Sequence, residues 1–202
     1  KKLNEEPQIR SVLCVTAQHR EMLDQVLDLF GLTPDYDLNI MKPNQTLSMI
    51  TANVLTGLDH ILEKEKPDIV LVHGDTSTTF SAALAAFYHR IPVGHVEAGL
   101  RTYDMYSPFP EEVNRVLTGH LTSVHFAPTQ RNADNLIREG IDPEKIIITG
   151  NTVIDALLEV ADRPYEFEDE TLKHIDFENK RVIAVTCHRR ENLGEYMHNI
   201  FE

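Results

Sequence analysis

The chain has 202 residues, 42% of them hydrophobic and 25% charged, which is ordinary for a globular protein of roughly one to one and a half domains at about 150 residues each. Nineteen Lys and Arg against 32 Asp and Glu give a formal charge of −13, which excludes nonspecific nucleic-acid binding through a broad basic surface. The longest apolar run, Ala82–Tyr88, falls far short of the roughly 18 residues a membrane span needs.

In chain order, Lys1–Arg10 resembles the end of a helix leading into a strand, and Ser11–Thr16 is a strand candidate. His19–Phe30 carries apolar residues at helical spacing and stops at Gly31, a C-cap. Thr46–Glu65 repeats the helical pattern and is broken by Pro67. Asp68–His73 encloses the apolar run Ile69–Val72, typical of a parallel strand buried on both faces. The spacing then predicts a helix over Thr76–His89, a strand over Pro92–Val96, a helix over Glu111–His120 and a strand over Ser123–Ala127. A helix over Thr129–Glu139 ends at Gly140, followed by a strand over Ile146–Thr149 and a helix over Thr152–Val160. A charged stretch without periodicity comes next, then a strand over Arg181–Thr186 and a helix from Asn192.

This alternation predicts an α/β fold: a Rossmann-like parallel sheet with helices on both faces. Residues 1–163 read as that domain without its first strand, 164–180 as a connector, and 181–202 as the start of a second, truncated Rossmann-like domain. Both ends read as incomplete. Cys14 and Cys187 are far apart in apolar surroundings and read as buried thiols, which suits a reducing cytoplasm. Lys1, Lys2, Glu5 and Glu6 give no signal-peptide pattern.

In open parallel sheets ligands bind at the carboxyl ends of the strands, so the residues just after each strand carry the functional reading. In His73-Gly74-Asp75-Thr76, a strand ends, a glycine turns the chain and a hydroxyl-rich helix begins. Asp75 is either a carboxylate in the crevice or an N-cap. In His95-Val96-Glu97-Ala98-Gly99-Leu100-Arg101, Glu97 is either a partly desolvated acid–base group or the partner of Arg101. Ser107-Pro108-Phe109-Pro110 leads into Glu111 and Glu112, which suit either chemistry or plain helix-start electrostatics with a Glu111–Arg115 pair. Thr186-Cys187-His188-Arg189-Arg190 places His and Arg where a diphosphate could sit, or forms a solvated basic loop. No paired metal-ligand spacing, nucleophile elbow or glycine-rich phosphate loop occurs, so no metal is expected.

At these loops the chain resembles the non-hydrolysing bacterial UDP-N-acetylglucosamine 2-epimerases. The matching stretches are Thr16-Ala17-Gln18-His19-Arg20, Val72-His73-Gly74-Asp75-Thr76, His95-Val96-Glu97-Ala98-Gly99-Leu100-Arg101-Thr102, Pro110-Glu111-Glu112 with Asn114-Arg115, Gly150-Asn151-Thr152 with Asp155, and His188-Arg189-Arg190-Glu191-Asn192. The resemblance implies the first half of a GT-B-like two-domain fold and a reversible epimerisation of UDP-GlcNAc to UDP-ManNAc by UDP elimination and re-addition. It implies Asp75, Glu97, Glu111 and His188 as catalytic residues, and His188, Arg115 and Arg101 as substrate-binding ones. The two arginines suit orienting carboxylates better than touching substrate. Gln18 matches one position of a second, allosteric UDP-GlcNAc site, whereas Gln and Arg are expected where Glu21 and Asn44 stand. The resemblance also implies a cytoplasmic homodimer with UDP-GlcNAc, UDP-ManNAc and UDP as partners, no nucleic acid, no membrane, no cofactor and no metal. The family's Gly-Thr-Arg-Pro-Glu loop and most of its second domain are missing from these 202 residues, so this polypeptide alone is expected to be inactive or nearly so. The rival readings are a GT-B-type UDP-sugar glycosyltransferase and a non-catalytic UDP-sugar-binding module. Three carboxylates near strand ends favour an enzyme, because a pure anion binder gains nothing from them.

Overall fold

Six short parallel strands and eight helices are formed in a computed structural model that describes residues 1–17, 20–185 and His198, and they follow the expected rhythm except for a strand at Tyr36–Asp37 and a helix at Glu170–Lys173 that the spacing did not predict. The strands are β1 (Cys14–Val15), β2 (Tyr36–Asp37), β3 (Val70–His73), β4 (Val93–Val96), β5 (Val124–Ala127) and β6 (Ile146–Ile148). The helices are α1 (Lys2–Glu5), α2 (Arg20–Phe30), α3 (Leu47–Glu65), α4 (Ser77–Tyr88), α5 (Glu111–Leu121), α6 (Gln130–Arg138), α7 (Thr152–Ala161) and α8 (Glu170–Lys173). Local chemistry sets their ends. The hydroxyls of Thr46, Thr76 and Thr129 accept from the N–H three residues on and cap α3, α4 and α6. Gly31 and Gly140 follow α2 and α6 at φ of 62° and 86°.

The chain divides into two compact units, Lys1–Leu157 and Leu158–Glu202. In the first, β1 and β2 form one parallel pair and β3-β4-β5-β6 a second sheet in sequential order. Helices α4, α5 and α6 pack on the four-stranded sheet, and α3 packs on α4. The largest apolar cluster lies there: Ile40, Ile50, Val54, Leu58, Leu62 and Ala85, with Cys14 and Val70 against it. Burial pushes the half-buried Cys14 thiol up to about 11, so it is a packed thiol and not a nucleophile.

Helices were expected on both faces of the sheet, and the four-stranded sheet departs from this. Val70, Val72 and Val93 face the helices, whereas Leu71 and Ile147 on the opposite face are 44% and 48% exposed. Consecutive crossovers from β3 to β6 all step the same way, and right-handed connections then set every helix on one side. Ile69, Leu71 and Phe126 instead crowd one another across Gly94, where an added Cβ would lie 2.6 Å from Leu71 and 3.1 Å from Phe126.

In the second unit, the charged stretch holds α8, capped by Asp169, and a stack of Phe167 on Phe177 at 5.2 Å. The strand expected over Arg181–Thr186 is not formed at Arg181–Val185. Val182, Ile183 and Val185 are exposed, and among the described residues no neighbouring strand pairs with them. Thr186, Cys187, His188 and the helix expected from Asn192 fall outside the described residues, as does Gln18. Among the described residues no helix is long and apolar enough to cross a membrane.

Candidate active site

The carboxyl ends of β3 and β4 deliver Asp75 and Glu97, and the start of α5 delivers Glu111. The turn after β3 is pinned at every step. The Gly74 N–H donates to the Val96 carbonyl at 3.0 Å, and the Thr79 hydroxyl donates to the His73 carbonyl at 2.6 Å. Asn114 donates to the Asp75 carbonyl at 2.9 Å. Gly74 sits at φ of 74°, and its α-carbon lies beside Glu97, whose Oε2 would be 3.6 Å from an added Cβ. The turns bearing Asp75 and Glu97 are therefore in contact.

The plain structural alternatives for the carboxylates are not the ones adopted. Thr76, not Asp75, caps α4. Asp75 is gripped instead by Arg115, with Nε at 2.9 Å and Nη2 at 2.7 Å from Oδ2. Arg115 does not pair with Glu111; its Nη1 bonds Glu112 at 3.0 Å. Glu111 is half-buried, and its carboxylate makes no hydrogen bond or ion pair among the described residues. Glu97 does not bridge to Arg101. It receives Asn151 Nδ2 on Oε1 at 3.3 Å and has His73 Nε2 at 3.4 Å from Oε2.

Glu97 holds φ of 66°, a conformation a side-chain-bearing residue adopts at a cost of order 1–3 kcal/mol. The following residues over-determine it. Ala98 is fully buried and donates to the Phe126 carbonyl at 3.0 Å, and Asn135 donates to the Gly99 carbonyl at 2.9 Å.

Arg101 serves this scaffold. Its guanidinium, 1% exposed, makes a two-pronged pair with Glu139, both contacts 2.7 Å, and donates to the Leu100 carbonyl. Charge, hydrogen bonds and burial are all committed there, so its place is under the Glu97 turn. Arg101→Ala, which leaves Glu139 without its partner, is expected to cost about 3 kcal/mol in urea unfolding. A loss under about 1 kcal/mol would show that the pair does not hold the turn.

Glu112 is the acidic residue that the pattern of the sequence hid behind Glu111. It is 3% exposed and accepts from the N–H groups of Thr102 at 3.0 Å and Tyr103 at 2.8 Å besides Arg115. Burial pushes its carboxyl up, but the two N–H groups and the Arg115 guanidinium outweigh that and hold it below the usual range. Glu112 thus holds Arg115, and Arg115 holds Asp75. Asn114 and Asn151 are further site residues that strand-end reasoning reaches only in part: Asn151 follows β6 as Asp75 follows β3, while Asn114 sits inside α5. Among the described residues no three His, Cys, Asp or Glu side chains converge as a metal set.

This is a Rossmann-like α/β domain with a group of carboxylates at the carboxyl end of its parallel sheet. Comparison with known proteins agrees over the whole length: the family model described as UDP-N-acetylglucosamine 2-epimerase matches residues 1–202, and the chain belongs to that family. It is 58% identical to the UDP-N-acetylglucosamine 2-epimerase of Salmonella typhimurium over 203 residues, covering 98% of this chain and 54% of that one. A Neisseria meningitidis UDP-GlcNAc 2-epimerase solved bound to UDP-GlcNAc matches with a TM-score of 0.76 and 61% identity, covering 80% of this chain and 44% of that one. An S. aureus protein solved as a co-structure with UDP matches with a TM-score of 0.85 and 51% identity, covering 98% and 52%. The fold class expected from the sequence stands, and these neighbours share the GT-B-like fold. The chain spans about half the length of the relatives it matches.

Proposed function

We propose that the full protein carrying this chain interconverts UDP-GlcNAc and UDP-ManNAc. A base takes the proton from the acetamido-bearing carbon as the bond from the anomeric carbon to UDP breaks, leaving an unsaturated sugar. UDP then adds back and a proton returns on the opposite face. The observation that carries this reading is the convergence of Asp75 and Glu97 in touching turns, with Glu111 free of any ion pair among the described residues, in a chain whose solved relatives hold UDP-GlcNAc and UDP. Weakly acidic C–H chemistry needs one group to accept a proton and another to give one back, and fixed carboxylates supply both. Arg115 orients Asp75, Asn151 orients Glu97, and Arg101 fixes the turn between β4 and the loop to α5. His188 takes the diphosphate, and Gln18 belongs to a second UDP-GlcNAc site. The protein works as a cytoplasmic homodimer on nucleotide sugars, without nucleic acid, membrane or cofactor.

Proton NMR of UDP-GlcNAc in D₂O tests this, with the full-length protein and the 202-residue chain side by side. The full-length protein is expected to produce a UDP-ManNAc anomeric signal and to exchange the proton on the acetamido-bearing carbon. Glu97→Gln and Asp75→Asn are each expected to slow that exchange by about 10²-fold or more. A folded full-length protein that binds UDP and leaves the spectrum unchanged would sink the epimerase reading. Transfer of the sugar to an acceptor without exchange would establish the glycosyltransferase instead.

A further inference from the structure

We propose that His95 is a positioning residue of this site: its imidazole reaches from β4 to the Gly74 carbonyl and sets the turn that places Asp75 beside Glu97. His95 lies two residues before Glu97 and is 1% exposed, and its Nε2 is 2.7 Å from the Gly74 carbonyl oxygen. A carbonyl oxygen only accepts, so Nε2 carries the proton and donates. Nδ1 is then a bare acceptor, and it is buried without a partner among the described residues. A buried imidazole with half its polarity unmet is a costly way to fill a strand position where Val93 packs well on the same face. What it gains is one fixed hydrogen bond across the two catalytic turns.

That bond completes a set. Between His73 and Asp75 the backbone carbonyls are held in turn by Thr79, His95 and Asn114, one from α4, one from β4 and one from α5. Only the middle one comes from the strand that bears Glu97. Removing it frees the Gly74 peptide, already at φ of 74°, to rotate between its two fixed neighbours. Asp75 would keep Arg115 but lose its register against Glu97. The other charged and titratable groups near the His95 ring are Arg101, His73 and Asp75, each placed above in the site or under it, and His125, its register partner on β5.

The kinetic part of the test rests on the proposed epimerase activity; the structural part does not. His95→Leu removes the donor at similar bulk, and His95→Gln keeps an N–H donor at similar reach. In the full-length protein, His95→Leu is expected to lower kcat for proton exchange about 10–100-fold with KM for UDP-GlcNAc within about threefold, since a misplaced acid–base group costs rate more than binding. His95→Gln is expected to recover to within about fivefold of wild type. Hydrogen exchange of the peptide spanning 73–76 should quicken in His95→Leu and not in His95→Gln, with α3 unchanged in both. If His95→Leu does not fold, the ¹⁵N shifts of wild-type His95 decide. A protonated Nε2 with a bare Nδ1 is expected, and the opposite tautomer would overturn the proposal. So would equal loss of kcat in both folded variants, or unchanged exchange at 73–76. An inactive wild type that still shows the tautomer and the exchange pattern would remove the epimerase reading and leave the positioning of Asp75 standing.

Discussion

Gly99→Ala is expected to abolish folding of the first unit. An added Cβ there would lie 2.2 Å from the carbonyl oxygen of Asn132, 2.8 Å from its carbonyl carbon and 3.1 Å from its Cα. All three atoms belong to the first turn of α6, which Thr129 caps and which buries Asn132, Ala133, Asn135 and Leu136. No side-chain rotation relieves a clash with backbone, so either α6 or the turn after Glu97 must move. The backbone at Gly99 also stands at φ of 86°, which L side chains resist. Gly140→Ala is the control, because it shares φ of 86° and has nothing within 4 Å of an added Cβ. The control should lose about 1–2 kcal/mol from backbone strain alone. Gly99→Ala should lose more than about 4 kcal/mol, which leaves little of an ordinary domain's stability. Urea unfolding followed by circular dichroism compares them. Equal losses would mean that α6 yields freely and that the Glu97 turn is not clamped by it.

The turn around Glu97 shows what a linear reading could and could not reach. That a carboxylate would stand after the Pro92–Val96 strand followed from periodicity and from the rule that ligands meet strand carboxyl ends. The partner of Arg101 did not follow, because Glu139 is 38 residues away and only the docking of α6 brings it near. Nearness in sequence suggested Glu97 instead. The same happened with Arg115. Its helical neighbours at three and four residues are both glutamates, and helix geometry permits either. The choice of Glu112 comes from the buried N–H groups of Thr102 and Tyr103, which need an acceptor there. Thr76 rather than Asp75 caps α4 because the chain turns at Gly74 and spends one further residue before the helix. From Thr46 to Val160 the expected strands and helices were legible to within a residue or two, since burial imposes its period on the sequence, whereas the two-residue β2 and the one-turn α8 are too short to show a period and the strand expected at Arg181–Val185 did not form. The cover of the second sheet face was not: an apolar side chain shows a need for cover without showing what supplies it.

Wild-type stability is expected to fall by about 3–4 kcal/mol between pH 7 and pH 5, and His125→Leu should remove about half of that fall. His95 and His125 stand opposite one another on β4 and β5, and both rings are buried. Neither nitrogen of His125 has a partner among the described residues. Burial pushes each imidazole down to about 4 from 6.5, with the Gly74 carbonyl pulling the other way on His95, with Arg101 disfavouring a positive charge on either ring, and with His95 disfavouring one on His125. The folded pKa is therefore below the unfolded one. Between them the unfolded chain binds protons that the fold refuses, so stability is fully present above about pH 6.5 and is lost as pH falls toward 4. Each ring contributes a slope approaching 1.4 kcal/mol per pH unit within that window, which gives roughly 2 kcal/mol per ring by pH 5. Leucine at position 125 cannot take up a proton and leaves no unpaired nitrogen at that position. The variant should match wild type to within about 1 kcal/mol at pH 7, because exchanging an unsatisfied polar group for an apolar one of similar size is nearly neutral. At pH 5 it should exceed wild type by about 2 kcal/mol relative to that baseline. Urea unfolding at the two pH values measures both differences. A constant gap between the curves would mean that His125 is protonated alike in folded and unfolded chains, and the neutral histidine pair beneath the Glu97 turn would have to be abandoned.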